Sequence, residues 1–216
     1  MDSEESWQVI TGQRRALADL LEGLSAGEWK TPSLCAGWRV RDVAAHIAMA
    51  PQVMSVRTMT VEWLRAGGRF HRLNHDLAVR HAESRPTDRL VAELREHASS
   101  RRLPVVTNYR NILFDILVHG QDLAIPLRRP HQMPPAAARA GAARVWSMGW
   151  PFWARRRLRG VRLVATDVDW SAGAGVAVEG PVDALLLLLT GRVAAALPRL
   201  RGPGVPVLPP VRGGNG

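Results

Sequence analysis

The chain has 216 residues, 46% of them hydrophobic and 22% charged. That is globular composition with room for one large or two small domains, and it excludes disorder along the whole length. The charge balance is 29 Lys+Arg against 19 Asp+Glu, a net +10, but the excess is nearly all arginine in an Ala-, Gly-, Pro- and Val-rich background. Such a skew reads as a GC-rich bacterial genome rather than as a nucleic-acid footprint, and neither a zinc-finger spacing nor an aromatic RNA-binding signature accompanies it.

The first predicted element is a helix over about Glu4 to Leu24, with Val9, Leu17, Leu20, Leu21 and Leu24 at helical spacing. A second runs from near Arg39 towards Arg65. Its apolar face carries Val40, Val43, Ile47, Ala50, Val53 and Met54, with a kink expected at Pro51. The polar stretch Arg69 to Arg85 has weak periodicity and reads as a crossover connection. Pro86-Thr87-Asp88 starts a third helix, which Pro104 stops. The fourth helix spans about Asn108 to Leu127.

Arg129 to Pro135 reads as a linker, and the character then changes. Ala136 to Ala154 is expected to be helical, with Trp146, Trp150 and Trp153 forming one stripe. Arg155-Arg156-Arg157 is then a solvated patch at that helix's end. Val161 to Thr166 and Gly175 to Glu179 alternate like strands around a Gly-rich turn from Ser171 to Gly175. Asp183 to Leu189 and Gly191 to Leu200 read as short helices, and Gly202 to Gly216 as a fraying tail. The expected fold is therefore mainly α: a four-helix bundle with a crossover connection over residues 1–130, then a small α+β domain over 131–216.

Location follows from what is missing. The longest apolar run, Ala184 to Leu189, is too short to span a bilayer. The acidic N-terminus has no apolar core, so no secretory signal is expected. A lone Cys35 fits a reducing cytoplasm.

The candidate chemistry lies on two helices. Asp115 and His119 are spaced i, i+4, and Asp122 follows three residues later, all on one stripe with Ile112, Ile116 and Leu123. A polar stripe inside an apolar face must be satisfied within the bundle. His46 lies between Val43, Ala50 and Val53 and also faces inward. One carboxylate and two imidazoles form a chelating set with open positions, as in catalytic metal sites; a hydrogen-bonded core pair is the plainer alternative. Asp42, i, i+4 to His46, is a surface partner for it. Cys35 reads as a small buried residue. His71, His75, His81, His97 and His131 read as surface or loop residues, with His75 alternatively at the mouth of the site.

The segment Trp29-Lys30-Thr31-Pro32-Ser33-Leu34-Cys35-Ala36-Gly37-Trp38-Arg39-Val40-Arg41-Asp42-Val43-Ala44-Ala45-His46-Ile47 resembles the opening signature of the mycothiol-dependent maleylpyruvate isomerase family, within the DinB-like metalloenzyme superfamily. Phe114 to Leu123 resembles its second signature. Ala165 to Trp170 and Gly180 to Arg192 resemble its C-terminal region. The resemblance implies a DinB-like bundle holding a divalent metal on His46, Asp115 and His119: zinc, with nickel, iron or manganese also compatible. The founding isomerase pattern has glutamate where this chain has Asp115, so the site must draw closer around a shorter side chain or bind its metal more weakly.

The resemblance further implies mycothiol as cofactor and a small electrophilic substrate, undergoing thiol transfer or thiol-assisted cis/trans isomerisation. Arg192 falls where a family member has a functional arginine able to clamp a carboxylate, and is carried as the catalytic candidate. Asp122 is expected to support an imidazole ligand rather than bind the ion itself. Neither nucleic acid nor membrane is an expected partner, and the chain is expected to be a monomer or homodimer. The rival reading is a non-catalytic bundle that binds a metal or other ligand.

Overall fold

Helix α1 (Ser3–Glu22) starts at a reciprocal cap. Asp2 Oδ1 accepts from the Glu5 amide, and Glu5 Oε2 accepts from the Asp2 amide, each at 2.9 Å. The computed structural model describes residues 1–52, 61, 62, 64, 65, 67, 69–103 and 107–210. Further helices are α2 (Val40–Met49), α3 (Phe70–Glu83), α4 (Thr87–Glu96), α5 (Tyr109–Ala124), α6 (Pro135–Ser147) and the single turn α7 (Ala154–Arg157). After the strands come α8 (Val182–Leu189) and α9 (Val193–Ala196).

Helices α1 and α2 each lie against both α4 and α5, so the bundle runs α1, α4, α2, α5 around its ring. Ile10, Leu17 and Leu21 of α1, Val43 and Ile47 of α2, Leu90 and Leu94 of α4, and Leu113 and Leu117 of α5 fill it. Helix α6 lies between α5 and α8. There Gly141 is packed closely: a Cβ at its position would stand 3.2 Å from Phe114 Cβ and 3.1 Å from Leu186 Cδ2. Strand β1 (Val161–Ala165) pairs antiparallel with β2 (Ser171–Gly173) and parallel with β3 (Val176–Gly180), in the order β2-β1-β3. Leu163 and Val178 are paired across β1 and β3 and are both buried, continuing the apolar core into the C-terminal part. Asp167 Oδ1 accepts from the Val182 amide and fixes the start of α8.

The mainly helical class with a small C-terminal sheet agrees with the sequence reading; several elements differ. Residues 69–85 form a helix, not an irregular crossover, and it packs on α2. Among the described residues its buried apolar side chains are Leu73, Ala78 and Ala82, and the alanines weaken the hydrophobic signal while favouring helix. Helix α2 stops before Pro51, which has no amide to continue the ladder. Val53, Met54 and Pro104 lie outside the described residues. The third expected helix already ends at Glu96. Helix α6 ends at Ser147, so the tryptophan stripe does not form: Trp146 packs against the core while Trp150 and Trp153 are exposed beyond the helix. The Ser171–Gly175 turn contains β2. The expected tail is anchored as far as Leu208, through the Gly204 amide to the Ala177 carbonyl and burial of Leu200 and Leu208.

One buried carboxylate ties α3 to α4. Glu93, with its side chain 4% exposed, meets His81 Nε2 at 2.7 Å and Arg85 Nε at 3.1 Å, and accepts from Gln52 Nε2 at 3.2 Å. Burial alone would raise this carboxyl, but His81, Gln52 and Arg85 outweigh it and hold it below the ordinary value. Glu93→Ala should cost about 3 kcal/mol by urea denaturation, because His81 and Arg85 lose their buried partner. A depressed carboxyl contributes stability that is present above its unfolded value, near pH 4, and is lost as pH falls through its folded value. Glu93→Gln should accordingly flatten the acid limb of the stability profile.

Candidate metal centre

The 3₁₀ turn Glu28–Lys30 and the loop after it bring the chain back over the bundle. The Leu34 amide donates to the Asp122 carbonyl at 3.2 Å, pinning this loop to the end of α5. Gly37 takes φ +78°, a left-handed conformation that favours glycine, and sets the direction in which Trp38 leaves the backbone. Helix α2 then presents His46, and α5 presents Asp115 and His119 one turn apart.

These three side chains converge. His46 Nε2 lies 3.6 Å from Asp115 Oδ2, and His119 Nε2 lies 3.4 Å from Asp115 Oδ1. One ligand atom from each falls within 4.8 Å of the other two. Bonds of about 2 Å to a tetrahedral ion place ligand atoms about 3.3 Å apart, so these separations suit a shared cation. All three are partly exposed, as an open site requires. Burial alone would raise Asp115, but the charge of His119 outweighs it and keeps the carboxyl well below the usual range. Burial would lower His119, but Asp115 outweighs that and holds it well above the ordinary imidazole value.

Behind His119 sits a second layer. His119 Nδ1 is 2.8 Å from Asp122 Oδ2. Asp122 is fully buried and receives Arg192 through two bonds, Nε to Oδ1 at 2.9 Å and Nη2 to Oδ2 at 2.6 Å. Burial would raise Asp122, but Arg192 and His119 outweigh it and hold the carboxyl far below its ordinary value. Arg192 also donates through Nη1 to the Thr190 carbonyl at 2.8 Å and through Nη2 to Cys35 Sγ at 3.3 Å. The carboxylate that Arg192 grips is thus Asp122's, 70 residues away in sequence.

Cys35, His119 and Asp122 form a second convergent group. Arg192 already places a cation against both Cys35 and Asp122, so an added metal ion there would face a like charge. The His46–Asp115–His119 group has no such guanidinium among the described residues and is the better candidate.

Two contributors were hidden in the sequence. Cys35, expected as a buried filler, is half-buried and donates from Sγ to Asp122 Oδ2 at 3.1 Å. Trp38 lies edge-on to His46 at 5.5 Å between ring centroids and nearly parallel to His119 at 6.5 Å. Its place just ahead of the helix that carries His46 was the available signal. His75 reaches the same indole at 5.9 Å. Asp42 pairs with Arg39 rather than His46, accepting from Nε at 2.9 Å and Nη2 at 2.8 Å. His81 and His131 are not loose surface groups, since they meet Glu93 and Gln13, each within 2.8 Å.

Residues 10–104 match the model of the mycothiol maleylpyruvate isomerase N-terminal domain family. Two solved structures share the fold: the mycothiol-dependent maleylpyruvate isomerase, with a TM-score of 0.59, and its histidine-to-alanine mutant, with 0.61. Each is 15% identical, and each alignment covers 89% of this chain and 90% of the other. No curated protein sequence matches the chain. Among the described residues, no helix is long and apolar enough to cross a membrane.

Proposed function

Residues 10–104 match the model of the mycothiol maleylpyruvate isomerase N-terminal domain family, and from that likeness we propose that this protein is a metal- and mycothiol-dependent enzyme acting on a small electrophile. The reaction is thiol transfer or thiol-assisted cis/trans isomerisation. His46, Asp115 and His119 would hold the divalent cation, zinc first, with nickel, iron and manganese compatible. The observation that carries this reading is their convergence at 3.4 and 3.6 Å, the edge lengths of a small coordination polyhedron. The lone, half-buried Cys35 extends the proposal to a reducing, cytoplasmic setting.

A cation at this place would lower the pKa of a neighbouring thiol and so supply thiolate near neutral pH. The chain's own residues prepare the site. His119 Nδ1 is engaged by Asp122, so Nε2 is the ring atom that would face a cation held with Asp115. Arg192 keeps Asp122 ionised and fixed through two parallel bonds, so it acts as a positioning residue. Trp38 walls the site beside both imidazoles.

Metal analysis of the purified protein, followed by a thiol-dependent turnover assay with mycothiol, tests the proposal. Bound metal with chelator-sensitive turnover is the expected result. Bound metal with no turnover would return the rival, a non-catalytic binding protein. Asp122→Asn should weaken metal affinity about 10–100-fold without abolishing it, measured by competition with a coloured chelator. Complete metal loss from a folded variant would make Asp122 a direct ligand.

A further inference from the structure

His119 and His46 are oriented by different means. His119 has Asp122 Oδ2 at 2.8 Å from its Nδ1, a directional hold on the ring. Every Asp and Glu of the chain lies among the described residues. Of these, the carboxylate that His46 meets is Asp115, through Nε2 at 3.6 Å. No second carboxylate backs His46 as Asp122 backs His119. The terminal torsion of a histidine is broad and roughly two-fold, so such a ring takes its orientation from what packs on it. For His46 the rings in contact are Trp38, edge-on at 5.5 Å between centroids, and His119 at 4.9 Å.

Trp38 is itself held from two directions. Its carbonyl accepts from the Ser33 amide at 2.8 Å and from Ser33 Oγ at 2.9 Å, and its amide donates to the Cys35 carbonyl at 3.0 Å. Those bonds fix the backbone of the loop. The indole is met by His75 of α3, edge-on at 5.9 Å and 72° between planes. His75 Nδ1 stands 3.2 Å from Asp76 Oδ1, and Asp76 Oδ2 stands 3.6 Å from Arg72 Nε. One half-buried indole thus has three imidazoles around it: two from the candidate ligand set and one from a helix that supplies no ligand to it. Helix α3 packs on α2, the helix of His46, so brace and ligand share one pair of helices.

We propose that Trp38 is a positioning residue of the metal centre, setting the ring of His46 as Asp122 sets that of His119, and that His75 braces the indole from α3. This rests on the metal reading and specifies how its ligand set is held. An edge-on ring contact contributes less than a metal–ligand bond, so its loss leaves a loosened site rather than an empty one.

Cobalt(II) is the probe, because its visible ligand-field bands report coordination geometry and its affinity can be read by competition with a coloured chelator. Trp38→Ala should weaken cobalt binding about tenfold, the low end of what groups that orient a ligand contribute, and should shift the bands at saturating metal. Trp38→Phe keeps a ring beside His46 and should restore most of the affinity and the parent spectrum. His75→Ala, at a half-exposed position, should give a smaller loss of about threefold with a spectral change in the same direction, reversed by His75→Phe. Parent affinity and spectrum in Trp38→Ala would overturn the inference, and so would a loss that Trp38→Phe does not restore. Should Trp38→Ala fail to fold, His75→Ala decides: an unchanged cobalt spectrum would overturn the proposal, and the expected shift would support it. A parent protein that binds no cobalt would overturn the metal reading and this inference with it, whereas a parent that binds cobalt indifferently to both rings would overturn this inference alone.

Discussion

His119→Ala should leave the helices in place and remove thiol-dependent turnover by several orders of magnitude. His119 is the side chain on which both layers of the site meet: Nε2 is 3.4 Å from Asp115 and Nδ1 is 2.8 Å from Asp122. Truncation removes one of the three proposed ligands and disconnects the buried carboxylate from the open cluster. The bundle loses little apolar contact, since the neighbouring Leu117, Val118 and Leu123 supply the burial along this part of α5. Asp122 retains both bonds from Arg192. Circular dichroism should therefore be unchanged, metal content should fall, and the rate should fall with it. A metal chelator should reproduce the loss in the parent. Cys35→Ser is the control, because a hydroxyl can still donate to Asp122, and most activity should remain. Turnover that survives His119→Ala, or dies with Cys35→Ser while metal stays bound, would overturn the mechanism and point to Cys35 as nucleophile.

The legibility of this site in the sequence varied with the kind of information each residue carries. Asp115, His119 and Asp122 could be grouped because three- and four-residue spacings on a helix fix a common stripe, and α5 is regular over all of them. His46 could be given an inward face from Val43, Ala50 and Val53. Its meeting with α5 depends on which helices are neighbours, a tertiary fact that periodicity does not contain. The resemblance to the isomerase signatures supplied that pairing.

Cys35 and Trp38 were harder because they sit in a loop, where no periodicity fixes direction. The backbone of Leu34 on Asp122 and the left-handed Gly37 decide where these two side chains go. Helix α3 was missed for a different reason. Alanines carry much of its buried face, and its three histidines, His71, His75 and His81, look like polar surface in sequence. The end of α6 was misplaced because Trp146, Trp150 and Trp153 keep a helical spacing after the helix has stopped at Ser147. Spacing alone does not register the break at Gly149 and Pro151.

Arg192→Leu should be among the most destabilising single changes in the chain, at about 3–5 kcal/mol, because it strands a charged carboxylate that has no exposure to water. Burial by itself would lower the Arg192 guanidinium, but Asp122 outweighs that and keeps it firmly protonated. Arg192→Lys should recover only part of the loss, since an ammonium cannot make the two parallel bonds that Nε and Nη2 make to Oδ1 and Oδ2. The informative variant is the double change Arg192→Leu with Asp122→Asn. Removing both charges removes the stranded carboxylate, so much of the stability should return. Metal affinity should not return with it, because His119 would still lack the ionised partner that engages its Nδ1. Urea denaturation and chelator competition on the same set of variants separate the two effects. If Arg192→Leu proves neutral to stability, the pair is not the anchor of the site. If the double change restores metal affinity together with stability, Arg192 and Asp122 hold only the fold, and the positioning role assigned to them fails.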